Sequence, residues 1–386
     1  MGGHYDAIVI GAGAMGSAAA YYLACRQQRV LLLEQFELDH RNGGSYGPSC
    51  IIRYAYDRPH YIALMKAAYP LWQALEAEAS ETLYTRTGGI DFGDPRQPAF
   101  QRLERSMAAA GIPYEAFEAT EARRQFPQFR FDDGMRVLYQ QATGWLAASR
   151  CVRAHVRLAQ AQGATLLERT PVSDIAVRNG SVAVQTRTET YTAGRLAIAT
   201  GSWARPLLAR QGVTLPLAVM PAQLGFFQPR ARTLFDSARC PVFLGHLDGE
   251  WGQKPYGIPA HDGCGVKLTT LYGWDTVASP SDADRSPDPH WEARMRRFIR
   301  RYVPEANGPL RSTRRCRYAM TPDCDFAIDT LPQAPHVAFA TGFSGHGFKF
   351  STLVGKVLAE LVTSSETEHD IGPFRATRFG ASATSP

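Results

Sequence analysis

No run in this chain of 386 residues approaches the ~20 consecutive apolar positions that a membrane-spanning helix requires. Nor does the N-terminus carry a charged region followed by a cleavable apolar core: it enters a strand pattern at once, and the cytoplasm is the expected location. Cysteine is scarce. The seven present (Cys25, Cys50, Cys151, Cys240, Cys264, Cys316, Cys324) are odd in number, scattered and never paired as CxxC. That suits a reducing compartment and argues against structural zinc, so no metal is expected. Neither sign of charge dominates, with 42 Lys+Arg against 36 Asp+Glu and a net charge of +6. One basic cluster, Arg294, Arg296, Arg297, Arg300 and Arg301, falls on a single predicted helix and reads as a solvated face; the aromatic interleaving of a nucleic-acid surface is missing. At 45% hydrophobic and 20% charged, what remains is a globular chain long enough for two domains.

The most informative stretch is Tyr5 to Glu34. Tyr5-Asp6-Ala7-Ile8-Val9-Ile10 reads as a strand, Gly11-Ala12-Gly13-Ala14-Met15-Gly16 as a GxGxxG turn, and Ser17 to about Cys25 as a helix. Gly11 permits the tight turn, Gly13 lets backbone approach a pyrophosphate, and Gly16 lets helix and strand pack closely. The helix N-terminus offers free N–H groups to an anion. A second strand, Arg29–Leu33, ends on Glu34, an acid placed to accept from a ribose 2′-hydroxyl and to repel a 2′-phosphate. NADP is therefore disfavoured, while NAD and the ADP half of FAD both remain.

Further along, Asn42–Ser49 is rich in glycine and small polar residues and reads as a loop that could lie against a cofactor. Leu64, Ala68, Leu71, Trp72 and Leu75 recur at helical spacing, with Pro70 as a possible kink. Thr87–Phe92 reads as a strand entering a second domain, followed by a helix over about Ala99–Ala110. After Gly144-Trp145-Leu146 the chain returns to the first domain, with a helix over about Ala147–Gln162, a strand pair Ala164–Glu168 and Ser173–Val177, and a second glycine turn at Ala199-Thr200-Gly201. Strands over Leu217–Met220, Leu224–Gln228, Val242–Leu247 and Gly265–Thr270 suggest one antiparallel sheet roofing the cofactor. A third glycine turn, Gly345-His346-Gly347, follows the apolar strand His336–Phe343 and precedes a helix over about Phe350–Thr363. The fold class is α/β, with α+β character in the second domain: a Rossmann-like nucleotide domain from residues 1–84, 145–214 and 325–379, an interleaved substrate domain from 85–144 and 215–324, and a flexible tail, 380–386.

Together these pieces resemble the monomeric sarcosine oxidase, N-methyltryptophan oxidase and pipecolate oxidase family, within the D-amino acid oxidase-like flavoproteins. The resemblance covers nearly the whole chain. Its most specific marks are the N-terminal glycines with Glu34, Ile51-Ile52-Arg53, Tyr256-Gly257 followed by Lys267, Cys316 with Thr321-Pro322-Asp323, and Gly342–Phe350. It implies FAD, attached through a thioether from Cys316 to the flavin 8α-methyl, and it implies that Lys267 lies near flavin N5 and prepares the site for oxygen. It implies that Arg53 and Lys349 hold a substrate carboxylate and that Tyr256 and Tyr318 wall the substrate pocket. Gly11, Gly13, Met15, Gly16, Glu34, Ser45, Tyr46, Cys50, Val172, Gly201, Cys316, Gly345, His346, Gly347 and Lys349 are the positions it assigns to the cofactor.

Three positions depart from the pattern. Tyr46 stands where the family often has histidine, Cys50 where it has an arginine over the ring, and Leu271 where it has a histidine beyond the lysine. The first two remove cationic character near the flavin, and the third makes the pocket more apolar. The resemblance thus implies a monomeric oxidase of a secondary α-amino acid (N-methyl, N-alkyl or cyclic, bulkier than sarcosine), giving an imine and reducing O2 to hydrogen peroxide. A flavin dehydrogenase that serves an electron carrier, or a flavin-binding protein with weakened turnover, stands as the alternative. Neither nucleic acid nor membrane is an expected partner.

Overall fold

Alternation of side chains puts the first strand at the centre of a sheet covered on both faces. A computed structural model describes residues 3–178, 180–247, 254–272, 275–284 and 286–380; the tail beyond 380, expected to be flexible, lies outside them. In β1 (His4–Ile10), Ala7 and Val9 enter one core while Ile8 and Ile10 enter another, the pattern of a buried parallel strand. After α1 (Ala14–Cys25), β2 (Val30–Leu33) divides in the same way. Then come β3 (Cys50–Ile52), α2 (Pro59–Ala79) and β4 (Tyr84–Arg86). Pro70 does not end α2; the helix runs through it, with the exposed proline ring beside buried Tyr69 and Trp72.

The next segment carries β5 (Gly89–Gly93), α3 (Pro98–Ala109), β6 (Glu115–Glu118), α4 (Ala119–Gln125), β7 (Arg136–Gln140) and β8 (Gly144–Leu146). It is followed by α5 (Ala148–Ala161), β9 (Thr165–Leu167), β10 (Val172–Arg178), β11 (Ser181–Thr186), β12 (Thr190–Ile198) and α6 (Ala204–Arg210). The chain continues through β13 (Ala218–Phe227), β14 (Val242–His246), β15 (Pro255–Ile258), β16 (Val266–Thr270), α7 (Pro289–Tyr302) and β17 (Leu310–Met320), and closes with β18 (Ala327–Leu331), β19 (Ala334–Thr341) and α8 (Ser351–Ser364).

One sheet has the order β10-β11-β12-β1-β2-β9, with β19 alongside the end of β12 and β18 outside it; β9, β2, β1, β12 and β19 run parallel. A second sheet has the order β17-β13-β16-β15-β14-β5-β7-β6, and β3, β8 and β4 form a small third one. Four expectations change here. The strands near 164–168 and 173–177 do not pair, because β9 lies beside β2 while β10 lies at the far end of the sheet. The strands expected over Leu217–Met220 and Leu224–Gln228 are one, β13: β16 flanks only Leu224–Phe227, so Pro221 meets no ladder on that side. The second sheet is not wholly antiparallel, since β14 runs parallel to β5, which the earlier 85–144 segment supplies. Finally β15 and β17 join it unforeseen, β17 because arginines at 311, 314, 315 and 317 break its apolar alternation.

The arginine-rich helix α7 lays Trp291, Met295, Phe298, Ile299 and Tyr302 on the core of the second sheet, leaving its basic face to ion pairs such as Arg296–Glu292 and Arg301–Asp132. At the other end of the chain α8 presses on α1 so closely that a side chain at Gly355 would meet Ala18 Cβ at 2.4 Å. No helix among the described residues is long and apolar enough to cross a membrane.

Candidate active site

The glycine turn at the end of β1 is built on close approach to the turn that follows β12. Gly11 has φ +96°, and a Cβ there would lie 2.6 Å from the Ala199 carbonyl oxygen of the second turn. A Cβ on Gly16 would lie 1.8 Å from the Gly11 carbonyl oxygen, so this third glycine of the motif sits behind the turn and does not line the cleft. Gly13 begins α1 with no side-chain cap. The amide of Ala14 donates to Ser45 Oγ at 3.0 Å, which draws the glycine loop over the helix end. Glu34 accepts from the amides of Ala12 (2.8 Å) and Phe36 (3.0 Å) and lies 3.4 Å from His40 Nε2. Burial alone would raise its pKa, but His40 and the two amides outweigh it and hold the carboxyl below its ordinary value. Nearby, the buried hydroxyl of Thr200 has no partner, and Gly201 opens the second turn at φ +54°.

From these turns a single cleft of about 370 Å³ runs to the second sheet. Met15, Val172, Ser45, Tyr46 and Gly201 line its first part, and Cys50, Cys316, Lys267, Tyr256 and Tyr318 line its far part. Gly345, His346, Gly347 and Lys349 lie before α8 and close it, with Arg53 from the end of β3. Every residue to which the resemblance assigns a cofactor, oxygen or substrate role therefore borders this cleft except Gly16.

The far part concentrates buried charge. Lys267 on β16 is 3% exposed and donates to the Ser49 carbonyl at 2.5 Å. Desolvation pushes its pKa down, and the neighbouring Arg314 adds to the fall. Lys349 donates to Tyr56 Oη at 3.0 Å and to the His346 carbonyl at 2.7 Å. Burial, then the charge of Arg53, pushes it well below its ordinary value. His346 Nε2 can only donate to the Cys324 carbonyl (3.0 Å), so Nδ1 accepts from Tyr56 (3.1 Å) and the ring is neutral; burial and Lys349 lower its pKa to about 3. The phenols of Tyr256 and Tyr318 are both pushed up by burial, and desolvation likewise keeps Cys50 a neutral thiol.

Two features were not foreseen. Arg53 pairs with buried Asp91 on β5 at 3.2 Å, and His246 Nε2 reaches the same oxygen at 2.8 Å. Asp91 belongs to an unremarkable strand in the sequence, and only the tertiary fold brings it to Arg53. The second is Arg314. Residues 314, 316 and 318 share one face of β17, so Arg314 joins Cys316 and Tyr318 at the cleft. Its guanidinium lies 4.8 Å from the Tyr46 ring centre and donates to the Tyr46 carbonyl at 2.6 Å. Gly47 makes room, since a Cβ there would sit 2.1 Å from Arg314 Nη2. Tyr46 and Cys50 bring no cation of their own, and Arg314 supplies one to the same cleft from another strand. Counting back two residues from Cys316 would have found it.

The family described as FAD dependent oxidoreductase matches residues 6–361. The chain belongs to this family. It is 37% identical to the monomeric sarcosine oxidase of Bacillus sp. (strain NS-129), over 98% of each chain. It is 30% identical to the N-methyl-L-tryptophan oxidase of Yersinia pestis (strain Pestoides F), over 97% of this chain and 99% of that one. Among solved structures it is similar to the open form of NikD, an unusual amino acid oxidase essential for nikkomycin biosynthesis, with a TM-score of 0.87, 25% identity and coverage of 96% and 97%. The residues present fit the family's cofactor: an uncapped helix end at Gly13, a carboxylate held ionised at Glu34 and an unpartnered hydroxyl at Thr200 face a cleft long enough to join two sheets. An FAD-dependent oxidoreductase accounts for that arrangement.

Proposed function

We propose that this flavoenzyme oxidises a secondary α-amino acid (N-methyl, N-alkyl or cyclic) to its imine, with O2 becoming hydrogen peroxide. The observation that carries the proposal is the placement of two buried basic side chains, Arg53 and Lys349, at one end of the cleft, with Lys267 and Cys316 bordering the same space. Conversion of amine to imine releases two electrons and two protons, and O2 takes up both to give hydrogen peroxide. FAD, when bound, supplies the two-electron carrier between them.

In this reading the glycine turns, Glu34 and Ser45 hold the dinucleotide, and Cys316 holds the flavin covalently. Arg53 and Lys349 orient the substrate by its carboxylate, one through a fork of donors and the other as a point charge. Tyr256, Tyr318 and Leu271 shape an apolar wall beside the amine. Lys267 offers a positive charge, in a buried site, to oxygen as it becomes anionic. That charge favours an oxidase over a dehydrogenase that serves a carrier, and Arg314 restores cationic character that a flavin-binding protein without turnover would not require. The division into a cofactor unit (1–84, 145–214, 325–379) and a substrate unit (85–144, 215–324), acting as a monomer, belongs to the same proposal.

Asp91 sharpens the test, because Arg53 already has an anion. If the clamp operates, an N-alkyl amino acid outperforms its decarboxylated analogue on the wild type. Two charge-assisted contacts of ~1.5–3 kcal/mol each imply a difference on the order of a hundredfold or more in kcat/KM, which Arg53→Ala should greatly reduce. Equal turnover of the two substrates on the wild type would mean that Arg53 serves Asp91 alone.

A further inference from the structure

Beyond Arg53 lies a second cavity of about 260 Å³, and Arg53, Leu271 and His346 line both spaces. Its wall carries charges of both signs, nearly all of them matched. Arg58 pairs with Asp325, Arg378 with Asp323 at 2.8 Å, Arg102 with Asp57 at 3.8 Å, and Arg53 with Asp91 at 3.2 Å. Lys254 is the remainder. It lines the cavity, and among the described residues no acid comes within ion-pair distance of its ammonium group. Burial lowers its pKa; Asp57 and Asp91 offset this in part, and Arg53 adds to it.

The backbone holds this lysine deliberately. Lys254 has φ +54°, in the left-handed region that a non-glycine residue rarely adopts, and its carbonyl accepts the amide of Leu271 at 3.1 Å. That bond ties it to a residue bordering both cavities. On the same wall His246 is fixed by Asp91 through Nε2, while its Nδ1 is buried without a partner. Lys254 itself is half-buried, and a partly desolvated cation without an anion beside it is costly, a cost that falls when a ligand brings the anion.

We propose that Lys254 receives a second anionic group at the far end of the substrate's side chain, making the preferred substrate a secondary α-amino acid with an acidic side chain, such as N-alkylated glutamate or aspartate. The inference rests on the amino-acid reading above. The α-carboxylate engages Arg53 and Lys349, and the side chain follows the shared wall past Leu271 into the second cavity. An uncharged side chain of equal length leaves Lys254 half-buried and with no acid at ion-pair distance among the described residues, so the site discriminates by charge.

The test titrates the FAD-loaded enzyme with succinate, glutarate and adipate, and with butyrate, pentanoate and hexanoate. Binding is followed by the change in flavin absorption, which needs no turnover. The best diacid should bind at least about tenfold more tightly than the monoacid of equal length. Lys254→Met should erase that ratio and Lys254→Arg keep it. Equal binding of diacids and monoacids by the wild type, or equal weakening of both by Lys254→Met, would overturn the assignment. Peroxide release from N-methylglutamate and N-methylglutamine separates the two proposals. If both are oxidised alike and diacids show no advantage, the role of Lys254 is wrong and the amino-acid reading stands. If diacids are preferred but no secondary amino acid yields peroxide, the reverse holds.

Discussion

Lys267 shows how one residue can be costly to the fold and still be retained. Its ammonium group is buried, held by one carbonyl, and destabilised as a cation by desolvation and Arg314. Such a charge has a use where negative charge appears transiently in a dry site. Lys267→Met is therefore expected to slow reoxidation of the reduced enzyme by O2 roughly a hundredfold, while anaerobic reduction by substrate changes far less. Stopped-flow timing of the two half-reactions decides it, and equal effects on both would remove Lys267 from the oxygen step. The place of Lys267 at the cleft was legible in the sequence through the motif around it. Asp91 was not, because nothing in Gly89-Ile90-Asp91-Phe92 distinguishes a buried ion-pair partner from a loop-facing acid, and its meaning depends on Arg53, brought beside it by the fold.

Among the elements, β17 does the most to define the site. It pairs with β13 along its whole length and turns Arg314, Cys316 and Tyr318 toward the cleft. Cys316 stands opposite Ala222 in that register and is 5% exposed, so its backbone is held by a paired strand and not by a mobile loop. That rigidity suits a covalent attachment. Acid-precipitated enzyme is expected to stay yellow, and Cys316→Ser to release its flavin into the supernatant; complete release from the wild type would exclude the linkage. The sequence revealed β1, α1 and β2 because a strand, three glycines and an alanine-rich helix are local signals. It concealed β17 because four arginines, three of which reach neighbouring loops, interrupt the apolar period. The pairing partners of β9 and β10 were hidden for a related reason, since register between distant strands is set by the sheet and not by either strand.

At the scale of the whole molecule, two cores meet across the central sheet, and the buried histidines in this packing set its response to acid. His155, on α5 against Tyr21 and Trp72, is 1% exposed, and burial lowers its pKa to about 3; His346 is lowered to about 3 as well. In the unfolded chain both take up a proton near pH ~6.5. Below that pH the unfolded state binds more protons, so stability falls as pH drops from about 6.5 toward 3, by ~1.4 kcal/mol per pH unit for each histidine. The melting temperature of the holoenzyme is expected to drop through this window, and His155→Phe to make the drop shallower. An unchanged slope in that variant would mean that His155 is already charged in the folded state.

The fold brings the nucleotide turns, Lys267, Cys316 and the Arg53–Lys349 pair to one cleft, and that convergence is what the proposed chemistry depends on. The most direct measurement adds a panel of N-methyl and cyclic secondary amino acids to the FAD-loaded enzyme without air, and then admits oxygen. At least one member of the panel should bleach the visible flavin absorption, and oxygen should restore it with release of hydrogen peroxide in equal amount. Absorption that stays unchanged across the whole panel, in enzyme that has bound its FAD, would contradict the oxidation of secondary amino acids proposed for this site.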